Sequence, residues 1–103
     1  MPAAAANNII ARKEKIEDLI SIDKIAQAVK LLMDYAKEFA NDREALNDAI
    51  KISRRYHGLE KVNKRGEITF NDFQVNLNKL VDAMLDLLSE IEENLIESIG
   101  LAA

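Results

Sequence analysis

The chain has 103 residues, of which 49% are hydrophobic and 31% charged, enough for one small domain with an apolar core and a charged surface. It contains no cysteine, which excludes disulfides and thiolate metal sites, and its apolar runs are too short to span a bilayer. The alanine-rich start lacks the basic region of a signal peptide. We therefore expect a single cytoplasmic domain over 1–103, with an ordered core of about 9–97.

The net charge of −4 is segregated along the chain. Residues 51–65 carry six Lys or Arg and one Glu, whereas residues 80–103 carry six Asp or Glu and no basic residue. Such runs are usually solvated faces, but they also allow the basic patch of one copy to bind the acidic patch of the next. The candidate basic face is Lys51, Arg54, Arg55, Lys61 and Arg65. The candidate acidic face is Asp86, Glu90, Glu93 and Glu97.

Helical spacing of apolar residues predicts a first helix from about Ile9 to Ile20. The segment 21–23 interrupts this pattern, and Asp23 is the predicted N-cap of a second helix that runs to about Phe39.

A third helix is predicted to follow the polar segment 41–44 and to end at Gly66 in a left-handed cap. Gly58 lies inside this helix and marks either a bend or the close approach of another helix. The apolar residues expected to face inward include Ile50, Ile52 and Tyr56.

The fourth helix is predicted to begin after a Thr69 cap and to be the longest. Its apolar seam follows steps of three and four: Phe70, Phe73, Leu77, Leu80, Met84, Leu87, Ile91 and Leu95. We therefore predict an all-α, antiparallel four-helix bundle with a long C-terminal helix. Because the other helices are shorter, the end of this helix from Ile91 to Ile99 is expected to project and to need cover from the first helix or from another subunit.

The sequence contains few residues in patterns typical of metal-binding or catalytic sites. Segment 61–72 resembles a calcium loop, but Lys61 and Arg65 stand where calcium needs oxygen ligands. His57, the single histidine, lies beside Arg54, Arg55 and Lys61 and has no charge partner that would make it a base. No phosphate loop, serine elbow or Glu-x-x-His motif occurs. We expect no enzyme, cofactor, metal or small-molecule substrate, and the negative net charge makes nucleic acid an improbable partner.

Four further residues are predicted to have structural roles: Tyr56, Gly66, Ile68 and Asn78. Ile68 lies in the short connection after Gly66, where it can close the end of the bundle. Asn78 precedes the second apolar row of the fourth helix, so it is either a buried, hydrogen-bonded residue or an ordinary boundary residue.

Three stretches carry a resemblance to a known family. They read Arg55-Tyr56-x-x-Leu59-Glu60-Lys61, Gly66-x-Ile68, and Asn78-x-x-x-x-Ala83-x-Leu85-Asp86-Leu87. This pattern resembles the helical effector-associated domains of bacterial conflict systems. The resemblance covers about residues 15–90, and includes Ile25 to Leu32.

The resemblance implies an adaptor rather than a catalyst. Such domains are small helical modules that bring sensor and effector proteins together by like-with-like association, and they have no catalytic residues to carry over. The expected partner is another helical domain of the same type, either a second copy or one fused to an effector. The alternative is a small structural homo-oligomer that completes its core through helix four.

Overall fold

The computed structural model describes residues 3–40 and 42–98, and this part of the chain forms four α helices and no strand. The helices are α1 (Ala3–Ser21), α2 (Ile25–Phe39), α3 (Arg43–Lys64) and α4 (Phe70–Ser98). Each helix packs on the next, α1 packs on α4 to close the ring, and α2 also contacts α4. The predicted all-α four-helix bundle with a long C-terminal helix is confirmed.

The connection between α1 and α2 differs from the prediction. Asp23 does not cap α2: its φ is 62°, and it occupies the left-handed position that ends α1. The Lys24 amide donates to the Leu19 carbonyl at 2.9 Å, and the Asp23 amide donates to the Ile20 carbonyl at 3.0 Å. The N-cap of α2 is Lys24, whose side chain makes no capping hydrogen bond.

Side-chain caps begin the two longer helices. The Asp42 carboxylate accepts a hydrogen bond from the Ala45 amide at 2.7 Å at the start of α3. The Thr69 hydroxyl accepts one from the Asp72 amide at 3.1 Å at the start of α4, as predicted. Each bond satisfies an amide that has no partner within its own helix.

Gly66 ends α3 as predicted. Its φ of 70° is left-handed, and the Glu67 amide donates to the Val62 carbonyl at 3.0 Å. A side chain at this position would be strained, so glycine is the residue that this turn favours.

The core of the described residues consists of aliphatic side chains, Met84 and two tyrosines, and no charged side chain among them is buried. The buried part of the α4 seam is Leu77, Leu80, Met84, Leu87, Leu88, Ile91 and Leu95. Two predicted core positions are wrong. Phe70, at the first residue of α4, is 79% exposed, and Ile50 is 39% exposed, whereas Ile52 is buried.

The C-terminal part of α4 does not project as predicted. Ile91 and Leu95 are buried, and Lys13 of α1 lies 3.6 Å from Glu92 of α4, so α1 covers this end of the helix. Ile99 lies outside the described residues.

The excess length of α3 and α4 is at the opposite end of the bundle. No residue from 57 to 76 is buried. The buried residues that flank this segment are Tyr56 and Leu77. Both line a surface depression together with Asp23 and Lys24 of the α1–α2 turn. The α3–α4 hairpin therefore extends past the α1–α2 turn.

Because of Tyr35, the stability of the fold is expected to fall at alkaline pH. Its buried hydroxyl has no hydrogen-bond partner among the described residues, and burial, with a smaller contribution from Glu92, raises its pKa to about 12. In an unfolded chain the Tyr35 hydroxyl loses its proton at about pH 10. Between this pH and about 12, the folded state therefore binds more protons than the unfolded state, and the free energy of unfolding falls as pH rises.

Denaturant unfolding at about pH 8 and about pH 11 checks this, with Tyr35→Phe as the control. The variant is expected to lose less stability than the parent between these pH values, and to be no less stable at neutral pH because the hydroxyl it lacks is unpaired. An equal loss in both proteins would contradict the expectation.

Candidate interaction surface

A groove between α3 and α4 consists of two neighbouring depressions. Arg55 joins its two parts, because it lines both of them. The part toward the hairpin connection is mostly apolar and is lined by Arg55, Gly58, Leu59, Val62, Asn76 and Leu80. The other part carries charges on both sides, and we call it the charged groove.

The charged groove sets basic residues of α3 beside acidic residues of α4. Lys51 and Arg55 line its α3 side, whereas Asp86 and Glu90 line its α4 side. Both pairs are spaced four apart, which places each on one stripe of its helix. The groove therefore brings together parts of the predicted basic and acidic faces, which are separated by about 30 residues in the sequence.

Three of the five predicted basic residues form one surface. Lys51, Arg54 and Arg55 line a single shallow depression. Lys61 is exposed ten residues further along α3, about 15 Å from Lys51 at ~1.5 Å per residue. Arg65 is the C-cap of α3, where its guanidinium lies 3.8 Å from the Glu67 carboxylate.

The four predicted acidic residues follow one stripe of α4. Steps of four, three and four separate Asp86, Glu90, Glu93 and Glu97, and all four are exposed. Asp86 and Glu90 border the charged groove, whereas Glu93 and Glu97 continue the stripe toward the end of the helix.

The charges that border the groove are not neutralised by close contacts. Within residues 3–40 and 42–98, the ion pairs with nitrogen and oxygen within 4.0 Å lie elsewhere, for example between Arg12 and Glu38 and between Lys64 and Glu60. The basic row (Lys51, Arg54, Arg55) and the acidic row (Asp86, Glu90) are thus both available to charges outside the chain.

The Arg55-Tyr56-x-x-Leu59-Glu60 motif has a local physical role that spacing alone did not reveal. The Tyr56 hydroxyl donates to the Glu60 carboxylate at 2.9 Å, and the Lys64 ammonium lies 3.4 Å from the other carboxylate oxygen. The hydrogen bond from Tyr56, with help from Lys64, lowers the pKa of Glu60, whereas burial and the bond to Glu60 raise the pKa of Tyr56 to about 12. Tyr56 is buried with its hydroxyl bonded to Glu60, whereas Arg55 beside it lines the groove.

The remaining predicted structural residues lie in less buried surroundings. Ile68 is half-buried in the connection between α3 and α4. Asn78 is exposed, so its interpretation as a buried residue is wrong and it is a surface residue of α4. A Cβ built on Gly58 would meet nothing within 4 Å, so no helix approaches closely there.

Two further features of residues 3–40 and 42–98 concern metal binding and membranes. Among these residues, no group of three or more His, Asp or Glu side chains is arranged to hold a metal ion. No helix in this part of the chain has the length and apolar character needed to cross a membrane.

Fold and surface together define a small all-α domain whose most distinctive feature is a charged groove between two helices. The chain belongs to the effector-associated domain family, because the family model of effector-associated domain 11 matches residues 11–92. The match includes parts of all four helices and confirms the resemblance seen in the sequence. Membership indicates an adaptor-like role in effector proteins. No curated protein and no solved structure matches the chain significantly.

Proposed function

We propose that this chain is a protein–protein interaction adaptor that links sensor and effector proteins in a bacterial conflict or programmed-death-like system by like-with-like helical association. Its partner is another helical domain of the same type, either a second copy or one fused to an effector. The proposal includes a cytoplasmic location and excludes catalysis, a cofactor, a small-molecule substrate and nucleic acid.

One observation supports like-with-like association independently of family membership. Two exposed rows of opposite charge border the same groove, and neither row is neutralised by a close ion pair within the described residues. A surface that presents both signs is complementary to another copy of itself. Association through exposed charges is screened by salt.

The alternative is a structural oligomer that completes its core through helix four. Ile91 and Leu95 are buried within the chain, whereas Phe70 and Val75 are exposed, so such an oligomer would have to use the start of α4.

Light scattering at low and high salt, over a range of concentrations, tests the proposal. We expect the mass to rise with concentration at low salt and to fall when salt is added. A dimer that persists at every salt concentration would instead favour the structural oligomer. A monomer under all conditions would contradict self-association and would mean that the partner is a different protein.

Two charge-reversed variants test whether the basic row is the surface through which the copies associate. Reversal of Arg54 and Arg55 to Glu is expected to abolish the association. The matched control reverses Lys15 and Lys30, two exposed lysines of α1 and α2, and changes the net charge equally. If both variants weaken association to the same extent, net charge rather than the basic row is responsible.

A further inference from the structure

We propose that two copies of this chain pair over the α3–α4 groove about a two-fold axis parallel to the helices, so that α3 of each copy packs against α4 of the other. The inference rests on the proposed like-with-like association and specifies its surface and its symmetry. It predicts an assembly that closes at two copies, because a two-fold interface uses the same surface on both partners.

The register of α3 on α4 determines which residues face each other across the groove. Lys51, Ile52 and Arg55 of α3 line the same groove as Ala83, Asp86 and Leu87 of α4. Because the two helices run antiparallel, the order of these residues along each helix sets Lys51 level with Asp86 and Leu87, and Arg55 level with Ala83. Lys51 and Asp86 therefore lie at the same height along the bundle, on opposite sides of one groove.

The symmetry follows from this register. A rotation about an axis parallel to the helices keeps each residue at its height and exchanges the two sides of the groove. Lys51 of one copy then faces Asp86 of the other, and both copies make this contact. Four antiparallel helices surround the axis, which is the arrangement of a four-helix bundle.

The other two-fold arrangement is disfavoured by charge. An axis perpendicular to the helices, lying in the plane between the copies, places α3 against α3 and α4 against α4. The acidic row then meets an acidic row, and Lys51 meets the α3 side of the other copy, which carries Asp48 as well as basic residues. Asp86 then faces no basic row, so the Lys51–Asp86 contact favours the axis parallel to the helices.

The groove also has a local feature that limits affinity. Asp48 lines the α3 side at the level of Glu90, so the proposed dimer sets two acidic groups against each other at that edge. Asp48→Lys is therefore expected to tighten the dimer.

Cross-linking tests the arrangement directly, because the chain contains no cysteine. The two variants are Lys51→Cys and Asp86→Cys, treated with a short bismaleimide first separately and then as a mixture. The mixture is expected to give a cross-linked dimer at low salt, and each variant alone is expected to give much less. Efficient cross-linking of Lys51→Cys with itself would support the perpendicular axis and overturn the inference.

Charge exchange provides a second readout that does not depend on cysteine chemistry. One variant reverses Lys51 and Arg55 to Glu, and the other reverses Asp86 and Glu90 to Lys. Each alone is expected to bind itself about tenfold or more weakly than the parent, whereas the equimolar mixture is expected to recover a dimer.

The outcomes separate this inference from the proposed function. If the parent associates with itself but the mixtures neither cross-link nor recover the dimer, the arrangement is wrong and the adaptor proposal stands. If the mixture grows beyond two copies, the contact is head-to-tail and the two-fold axis is excluded. If the parent does not associate with itself at all, this inference fails, and the proposed function is left with a domain fused to an effector as its partner.

Discussion

Replacement of Ile91 by alanine is expected to lower the free energy of unfolding by about 3 kcal/mol, as large-to-small changes in a packed core do. Ile91 is 1% exposed in the part of α4 that α1 covers. The change removes buried apolar surface and leaves a cavity that the rigid helices around it cannot fill completely. Urea denaturation gives the difference, provided that the slope of free energy against denaturant is unchanged.

Ile50 is the matched control for this prediction. It is also an isoleucine within a helix, but it is 39% exposed. Ile50→Ala is expected to change stability by less than about 1 kcal/mol, because little buried area is lost and alanine favours the helix. Equal effects of the two variants would mean that the end of α4 is not held against α1.

Alanine at Gly58, inside α3, and at Gly66, just after this helix, is expected to have effects of opposite sign. Gly66→Ala is expected to destabilise the fold by about 1–2 kcal/mol, because the position has a left-handed φ of 70°. Gly58→Ala is expected to stabilise it by about 1 kcal/mol, because alanine favours the helix and the added Cβ meets nothing within 4 Å.

Thermal and denaturant unfolding of the two variants tests this pair, since each has the same change in composition. A loss of stability in Gly58→Ala would show that this part of α3 packs more closely than the structure indicates. A neutral Gly66→Ala would show that the α3–α4 connection tolerates another conformation.

The helix ends show where local chemistry suffices for prediction. Thr69 and Gly66 were identified from the sequence because a cap involves only residues three or four apart. Asp23 was misassigned because an aspartate before a helix suits both an N-cap and a left-handed C-cap. The choice depends on how tightly the chain reverses between α1 and α2, and that is set by the packing of the two helices.

Core positions were predicted less well at the edges of the bundle. The helical period correctly identified Ile91 and Ile52, but it also included Phe70 and Ile50. Periodicity shows which side of a helix is apolar, but the length and width of the covered stripe depend on how far the neighbouring helices extend. That is also why the excess length was expected at the C-terminal end of α4, whereas it lies in the α3–α4 hairpin.

The sequence alone determined the helical class, the number and order of the helices, most of the core and the family, because these depend on composition, on spacing within one helix and on short motifs. Tertiary structure decided the candidate site. Lys51 and Asp86 are 35 positions apart, and the register of α3 on antiparallel α4 brings their charges to the two sides of one groove. That register results from side chains packing between helices, which no pattern within a single helix encodes.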